Sequence, residues 1–133
     1  MTPVTSEQID AILPCLERFE ADGFVAGEWK GGPGQFPWFQ FADVVNEFYQ
    51  ALYRQNWVSP EFDWTEWQES AVQFVDEPSI IDTADAQTIR KLFTTHVRKD
   101  RFCEGHLADM FENGHVVLLL RRLKTIRTEI EGV

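Results

Sequence analysis

Apolar residues recur every three or four positions along most of this chain, and a few breaker residues divide that recurrence into segments. Thr5 followed by Gln8 has the spacing of a capping box. Ile9, Ile12, Leu13, Leu16 and Phe19 then fall at helical intervals, with Gly23 as a stop. Pro14 sits inside that run and should kink or split the helix, because it lacks a backbone donor and crowds the preceding turn. From about Asp43, the residues Val44, Val45, Phe48, Tyr49, Leu52 and Tyr53 make one apolar stripe ending near Asn56. Asp63 with Glu66 predicts the cap of a third helix, with Trp64, Trp67, Ala71, Phe74 and Val75 inward and a stop before Pro78. Ile80 and Ile81 lie in a connector with room for one helical turn. Asp85 opens the next helix, whose face is Ile89, Leu92, Phe93, His96 and Val97.

Asp100 predicts the cap of a short helix carrying Phe102, Cys103, Leu107, Met110 and Phe111 inward, broken by Asn113 and Gly114. A last helix starts at His115 and packs Val116, Leu119, Leu120, Leu123 and Ile126. Only the aromatic-rich segments at 24–29 and 35–41, joined across KGGPG (residues 30–34), lack a helical period. They read as a small β-hairpin, although Pro37 interrupts the second segment. The predicted fold is mainly α: a single domain over residues 1–133, of five to six helices with a small β-hairpin near residues 24–41.

Composition narrows the class. An apolar share of 44% in 133 residues is enough for one real core, despite a net charge of −10. The charge is uneven. Residues 1–89 hold three cations against sixteen carboxylates, whereas residues 90–133 hold nine against six. An acidic body repels nucleic acid and anionic membrane at long range, so any such contact has to be local. VVLLL (residues 116–120) is the longest apolar run and is far too short for a span, which argues against membrane insertion. Two unpatterned cysteines, Cys15 and Cys103, and no apolar N-terminal leader fit a reduced, cytoplasmic setting.

The run THVRKDRFCEGHL (residues 95–107), followed by Gly114 and the helix containing Arg121, Arg122 and Leu123, resembles a family of small bacterial proteins of unknown function. Gly32, Pro33 and Gly34 with Phe36, Pro37 and Phe39, and the segment from Phe62 to Trp67, resemble its other shared segments. The resemblance runs from about residue 12 to 127 and implies membership alone, with no activity, cofactor or partner.

Chemistry-bearing residues concentrate between residues 94 and 115, which include all three histidines. His96 follows Leu92 and Phe93 by four and three positions, and His106 follows Phe102 and Cys103 likewise, so both imidazoles belong to apolar faces. If the short helix folds back, they meet in the seam, and Arg98, Asp100, Arg101 and Glu104 form the ion pairs and caps of a polar corner. A metal could instead draw on Cys103 and His106 with His96, completed by Asp100, Glu104 or His115. With no second Cys/His pair the spacing does not assign one, and no metal is expected. Nucleophilic catalysis by Cys103 needs a thiolate in the first helical turn near Arg98 and Arg101. His106 or His96 would be the base, oriented by Glu104 or Asp100. Arg121, Arg122, Lys124 and Arg127 form a basic helix after a helix and an Asn-Gly turn, the outline of a nucleic-acid reader. The acidic balance disfavours that partner, and such cations commonly form a solvated face. KGGPG lacks the ending of a phosphate loop. The five tryptophans, all between residues 29 and 67, read as core, with one or two left for a partner surface.

The leading functional expectation is therefore a non-enzymatic cytoplasmic interaction or accessory module, using the aromatic segment near Trp38 or the corner at residues 98–106. Its partner, another protein or a second copy, is unspecified, as is any cofactor. The alternative is a small enzyme or metal-binding protein centred on His96, Cys103, Glu104 and His106. A second alternative is a local nucleic-acid or anion contact through the C-terminal basic helix.

Overall fold

The computed structural model describes residues 1–131. Residues 132–133, the end of the expected domain, lie outside the described residues. In chain order the elements are α1 (Ser6–Ile12), α2 (Cys15–Glu20), β1 (Gly27–Lys30), β2 (Trp38–Phe41), α3 (Asp43–Arg54), α4 (Gln68–Asp76), a 3-10 helix (Pro78–Thr83), α5 (Ala86–Asp100), α6 (His106–Glu112) and α7 (His115–Glu131). The fold is mainly helical with one antiparallel two-stranded hairpin, as the pattern predicts. Among the described residues seven α-helices replace five to six, because the first is split at Pro14.

Local rules account for most boundaries. Thr5 Oγ1 accepts the Gln8 N–H at 3.2 Å, and Gln8 Oε1 accepts the Thr5 N–H at 2.9 Å, so the capping box forms. Asp85 Oδ1 accepts the Thr88 N–H at 2.7 Å and starts α5. α3 ends on Asn56, whose φ of 58° is left-handed. The Asn56 N–H reaches Tyr53 O and the Trp57 N–H reaches Leu52 O at 2.8 Å, which closes a Schellman turn.

Two boundaries differ from expectation. α4 begins at Gln68, not at Asp63, because the Asp63 carboxylate is spent locally on the Thr65 N–H and hydroxyl. α6 begins at His106, because Gly105 adopts φ +93° and reverses the chain, leaving residues 101–105 as a loop. Phe102 and Cys103, expected inward, are therefore exposed, Phe102 by 79%.

The core is one cluster shared by all the helices. α7 packs on α1, α2, α5, α6 and the 3-10 helix, and α5 packs on α4, α6 and α7. Of the tryptophans, Trp57 alone is fully buried; Trp64 and Trp67 are half-buried, and Trp29 and Trp38 are exposed. Trp57 fastens three helices. Its backbone N–H closes α3, its indole N–H donates to Gln8 O in α1 at 2.9 Å, and its carbonyl accepts from Thr94 Oγ1 in α5 at 3.2 Å. The hairpin docks on the 101–105 loop. The Phe39 N–H donates to Glu104 Oε1 at 3.0 Å, and the Trp29 indole sits so close that a Cβ on Gly105 would lie 2.8 Å from it.

Candidate functional site

Three consecutive helices each deliver one histidine to the same point. His96 lies on the buried face of α5, His106 is the first residue of α6, and His115 is the first residue of α7. The short connections that set the latter two are specified locally. Asp100 Oδ1 accepts the Leu107 N–H at 2.9 Å, capping α6 from the end of α5. Asn113 Oδ1 accepts the His115 N–H at 2.9 Å, and Gly114 takes φ +82° to turn the chain.

The result is a linear imidazole chain. His96 Nδ1 lies 3.0 Å from His106 Nε2, and His96 Nε2 lies 3.0 Å from His115 Nε2. His96 and His115 are each 3% exposed, while His106 is half-buried. Burial disfavours the imidazolium form, so all three pKa values fall: His115 to about 4, with His106 a secondary cause, and His96 well below 6.5, with His115, His106 and Lys99 adding to desolvation. His106 is lowered by burial and Lys99, against Asp109.

Three neutral rings hold three N–H hydrogens. Each of the two contacts needs one hydrogen, so His96 donates to one neighbour and accepts from the other. Two arrangements satisfy this. In one, His106 Nε2–H donates inward, His96 Nε2–H donates to His115, and His115 keeps its hydrogen on Nδ1. In the other, every hydrogen has moved one place outward and His106 carries its own on Nδ1. Interconversion takes a proton in at one end and releases one at the other, with the rings staying in place.

The same geometry bears on metal binding. The two ring nitrogens of His96 point in opposite directions, so the three imidazoles cannot converge on one ion through His96 as it stands. Among the described residues, no group of three or more His, Cys, Asp or Glu side chains is arranged to hold a metal ion.

An apolar pocket of about 180 Å³ opens on this chain. Ala71, Val72 and Val75 of α4 and Met110 of α6 form its walls, and His96 and His106 its polar end, with Asp76 and Lys99 also lining it. A larger cleft of about 750 Å³ lies between α2 and α7, but it is open and its cation, Arg121, is already paired with Glu20.

The other sequence-derived candidates lie elsewhere. Cys103 is exposed in the 101–105 loop, outside any helix, and Glu104 is engaged with Phe39. Arg101 donates to Tyr53 Oη at 3.0 Å. Asp100 acts as a cap, and burial raises its carboxyl pKa. Among the described residues no ion pair joins Arg98, Asp100, Arg101 and Glu104, so the corner is built from caps and not from the expected pairs. On α7, Arg121 pairs with Glu20, Arg127 with Asp10 at 2.8 Å, and Arg122 donates to Ala84 O at 2.8 Å. The basic helix thus uses three of its four cations to hold α7 against the rest of the fold. His115, which the sequence offers only as a further ligand to a metal, instead closes the chain against His96.

Among the described residues no helix is long and apolar enough to cross a membrane. No curated protein and no solved structure shows significant similarity to this sequence. A family model does match, across residues 4–129 and so across nearly all of the helices above; the chain belongs to the family of unknown function DUF6508.

Proposed function

We propose that this protein binds a small, largely apolar molecule in the pocket between α4, α5 and α6, and exchanges a proton with it at His106. The observation that carries this reading is the imidazole chain ending on an apolar pocket. Buried imidazoles in continuous hydrogen-bonded contact can relay a proton, and a pocket with apolar walls and few polar groups is the usual form of a small-ligand site. His96 and His115 serve as the buried extension of His106, so the reacting group is one ring and the other two set its protonation.

The test is ¹⁵N–¹H spectroscopy of the histidine rings during a fragment screen. The reading requires neutral, singly protonated rings at pH 7. It also requires a fragment that shifts the Met110 methyl and alters the His106 nitrogens, and loss of the response at His115 in His96→Gln. If fragments fill the pocket and leave the His106 ring signals unmoved, the proton-exchange reading fails.

A second reading, an interaction module, is favoured by the hairpin surface. Phe36 is 94% exposed beside exposed Trp38 and Trp29. The matching test is sedimentation of the wild type against Phe36→Ser/Trp38→Ser; equal monomeric profiles would remove self-association as the role of that surface.

A further inference from the structure

Two features of the pocket between α4, α5 and α6 restrict what it takes. Its exposed lining is almost wholly apolar, so Lys99 and Asp76 contribute chiefly their stems to it. A charged ligand would lose its water there with nothing to replace it, so the occupant is neutral. The second feature is how few imidazole nitrogens are left. His96 spends Nδ1 on His106 and Nε2 on His115, and His106 spends Nε2 on His96. Among the described residues, His106 Nδ1 is therefore the one nitrogen of the two pocket-lining rings left for a ligand.

Resting on the reading of this pocket as a proton-exchanging small-molecule site, we propose that its ligand is a monocyclic phenol. The ring lies between Ala71, Val75 and Met110, and the hydroxyl meets His106 Nδ1. Size agrees. An apolar cavity of about 150 Å³ holds a benzene ring, so about 180 Å³ holds one six-membered ring with a small substituent. The Met110 thioether favours an aromatic occupant over an aliphatic one, because sulfur packs well at ring edges. The hydroxyl supplies what a neutral imidazole needs. A phenol O–H, with a pKa of about 10 in water, is a far better proton donor than an aliphatic alcohol, yet it stays neutral at pH 7.

The two hydrogen arrangements of the imidazole chain match the two states of such a ligand. When His106 carries its hydrogen on Nε2, its Nδ1 accepts from the neutral phenol, and His115 holds a hydrogen on Nδ1. Exchange breaks the phenol O–H bond and forms N–H at His106 Nδ1. Each ring passes one hydrogen to the next, and His115 Nδ1 gives one to water. The phenolate then accepts from His106 Nδ1–H, and the charges balance as phenolate and hydronium. The reverse transfer restores the first state. Neutral phenol bound at one end of the chain therefore fixes which nitrogen of His115 is protonated at the other.

The chain contains two methionines, so the Met110 methyl gives an assignable NMR signal inside the pocket. The full chain, with ¹⁵N-labelled histidine, is titrated at pH 7 with three compounds. Phenol is compared with toluene, which keeps the ring and lacks the hydroxyl, and with cyclohexanol, which keeps a hydroxyl and lacks its acidity. Phenol is expected to shift the methyl saturably, to move the His106 Nδ1 resonance, and to leave His115 protonated on Nδ1. Toluene should shift the methyl with an affinity about five- to tenfold lower, the worth of one hydrogen bond, and leave the ring nitrogens unmoved. Cyclohexanol should also bind more weakly than phenol. If toluene or cyclohexanol binds as tightly as phenol, the phenol assignment is overturned and the pocket stands as an apolar site. If phenol leaves the His106 nitrogens unmoved while another fragment moves them, the phenol assignment is again overturned and proton exchange at His106 stands. A bare His115 Nδ1 in the phenol complex overturns the coupling along the chain. If no compound moves both Met110 and the His106 nitrogens, both readings fall.

Discussion

Acidification from pH 6.5 to 5 provides a direct test of the histidine chain. His115 is held neutral by burial, with its pKa lowered from 6.5 to about 4. The unfolded chain takes up a proton near 6.5, whereas the folded chain does not do so until far lower. The stability contributed by this group is therefore complete above 6.5 and is lost as pH falls through that window. Each pKa unit corresponds to about 1.36 kcal/mol. At pH 5 the His115 contribution lost is about 2 kcal/mol, and by pH 4 about 3 kcal/mol. His96, depressed in the same direction, adds to the loss. Asp100 acts oppositely, since burial raises its pKa and lets the folded state take a proton first; comparison with a histidine variant, in which Asp100 is unchanged, separates the two effects. Urea unfolding followed by tryptophan fluorescence at pH 7.5, 6.5, 5.5 and 5 measures the profile. His115→Gln, whose amide can still meet His96 Nε2, removes one titrating group and should flatten the profile by about 2 kcal/mol between 6.5 and 5. Parallel profiles for wild type and variant would refute the claim that the fold holds His115 neutral.

Three further outcomes follow from particular contacts. Gly105→Ala places a Cβ 2.8 Å from the Trp29 ring at φ +93° and should cost about 1–3 kcal/mol; limited proteolysis should then cut first in the hairpin, and Trp29→Ala in the same chain should recover part of the loss. Thr94→Val strands the buried Ser59 N–H, which donates to Thr94 Oγ1 at 3.0 Å, and should lower stability by about 1–3 kcal/mol in the same urea assay. Of the two thiols, exposed Cys103 should react rapidly with a disulfide reagent and half-buried Cys15, its pKa raised by burial, slowly; Cys103→Ser should abolish the fast phase.

Much of this architecture could be read from local signals. The Thr5–Gln8 box, Pro14, Asn56 and Asp85 each act within a few residues of themselves, so their effects survive whatever the rest of the chain does. The placement of His96 on an apolar face was legible for the same reason; that of His106 was not, because Phe102 and Cys103, against which it was read, lie exposed ahead of its helix. What escaped the sequence depended on direction in space. Gly105 has no side chain to advertise that it turns left-handed, yet that turn delays α6 and carries Cys103 to the surface. The approach of His115 depends on how α7 returns across α5. The pocket wall comes from α4, some twenty residues upstream, whose Ala71 and Val75 read only as an ordinary apolar stripe and whose Val72 lies outside that stripe.

Trp57 gives the molecule a property that no single helix has. Its backbone closes α3, its indole holds α1, and its carbonyl receives the hydroxyl of Thr94, two residues before His96. Opening of any one of these helices releases a bond that belongs to another. The N-terminal turns and the histidine-bearing helix therefore form a single cooperative unit, and their amides should exchange with deuterium together.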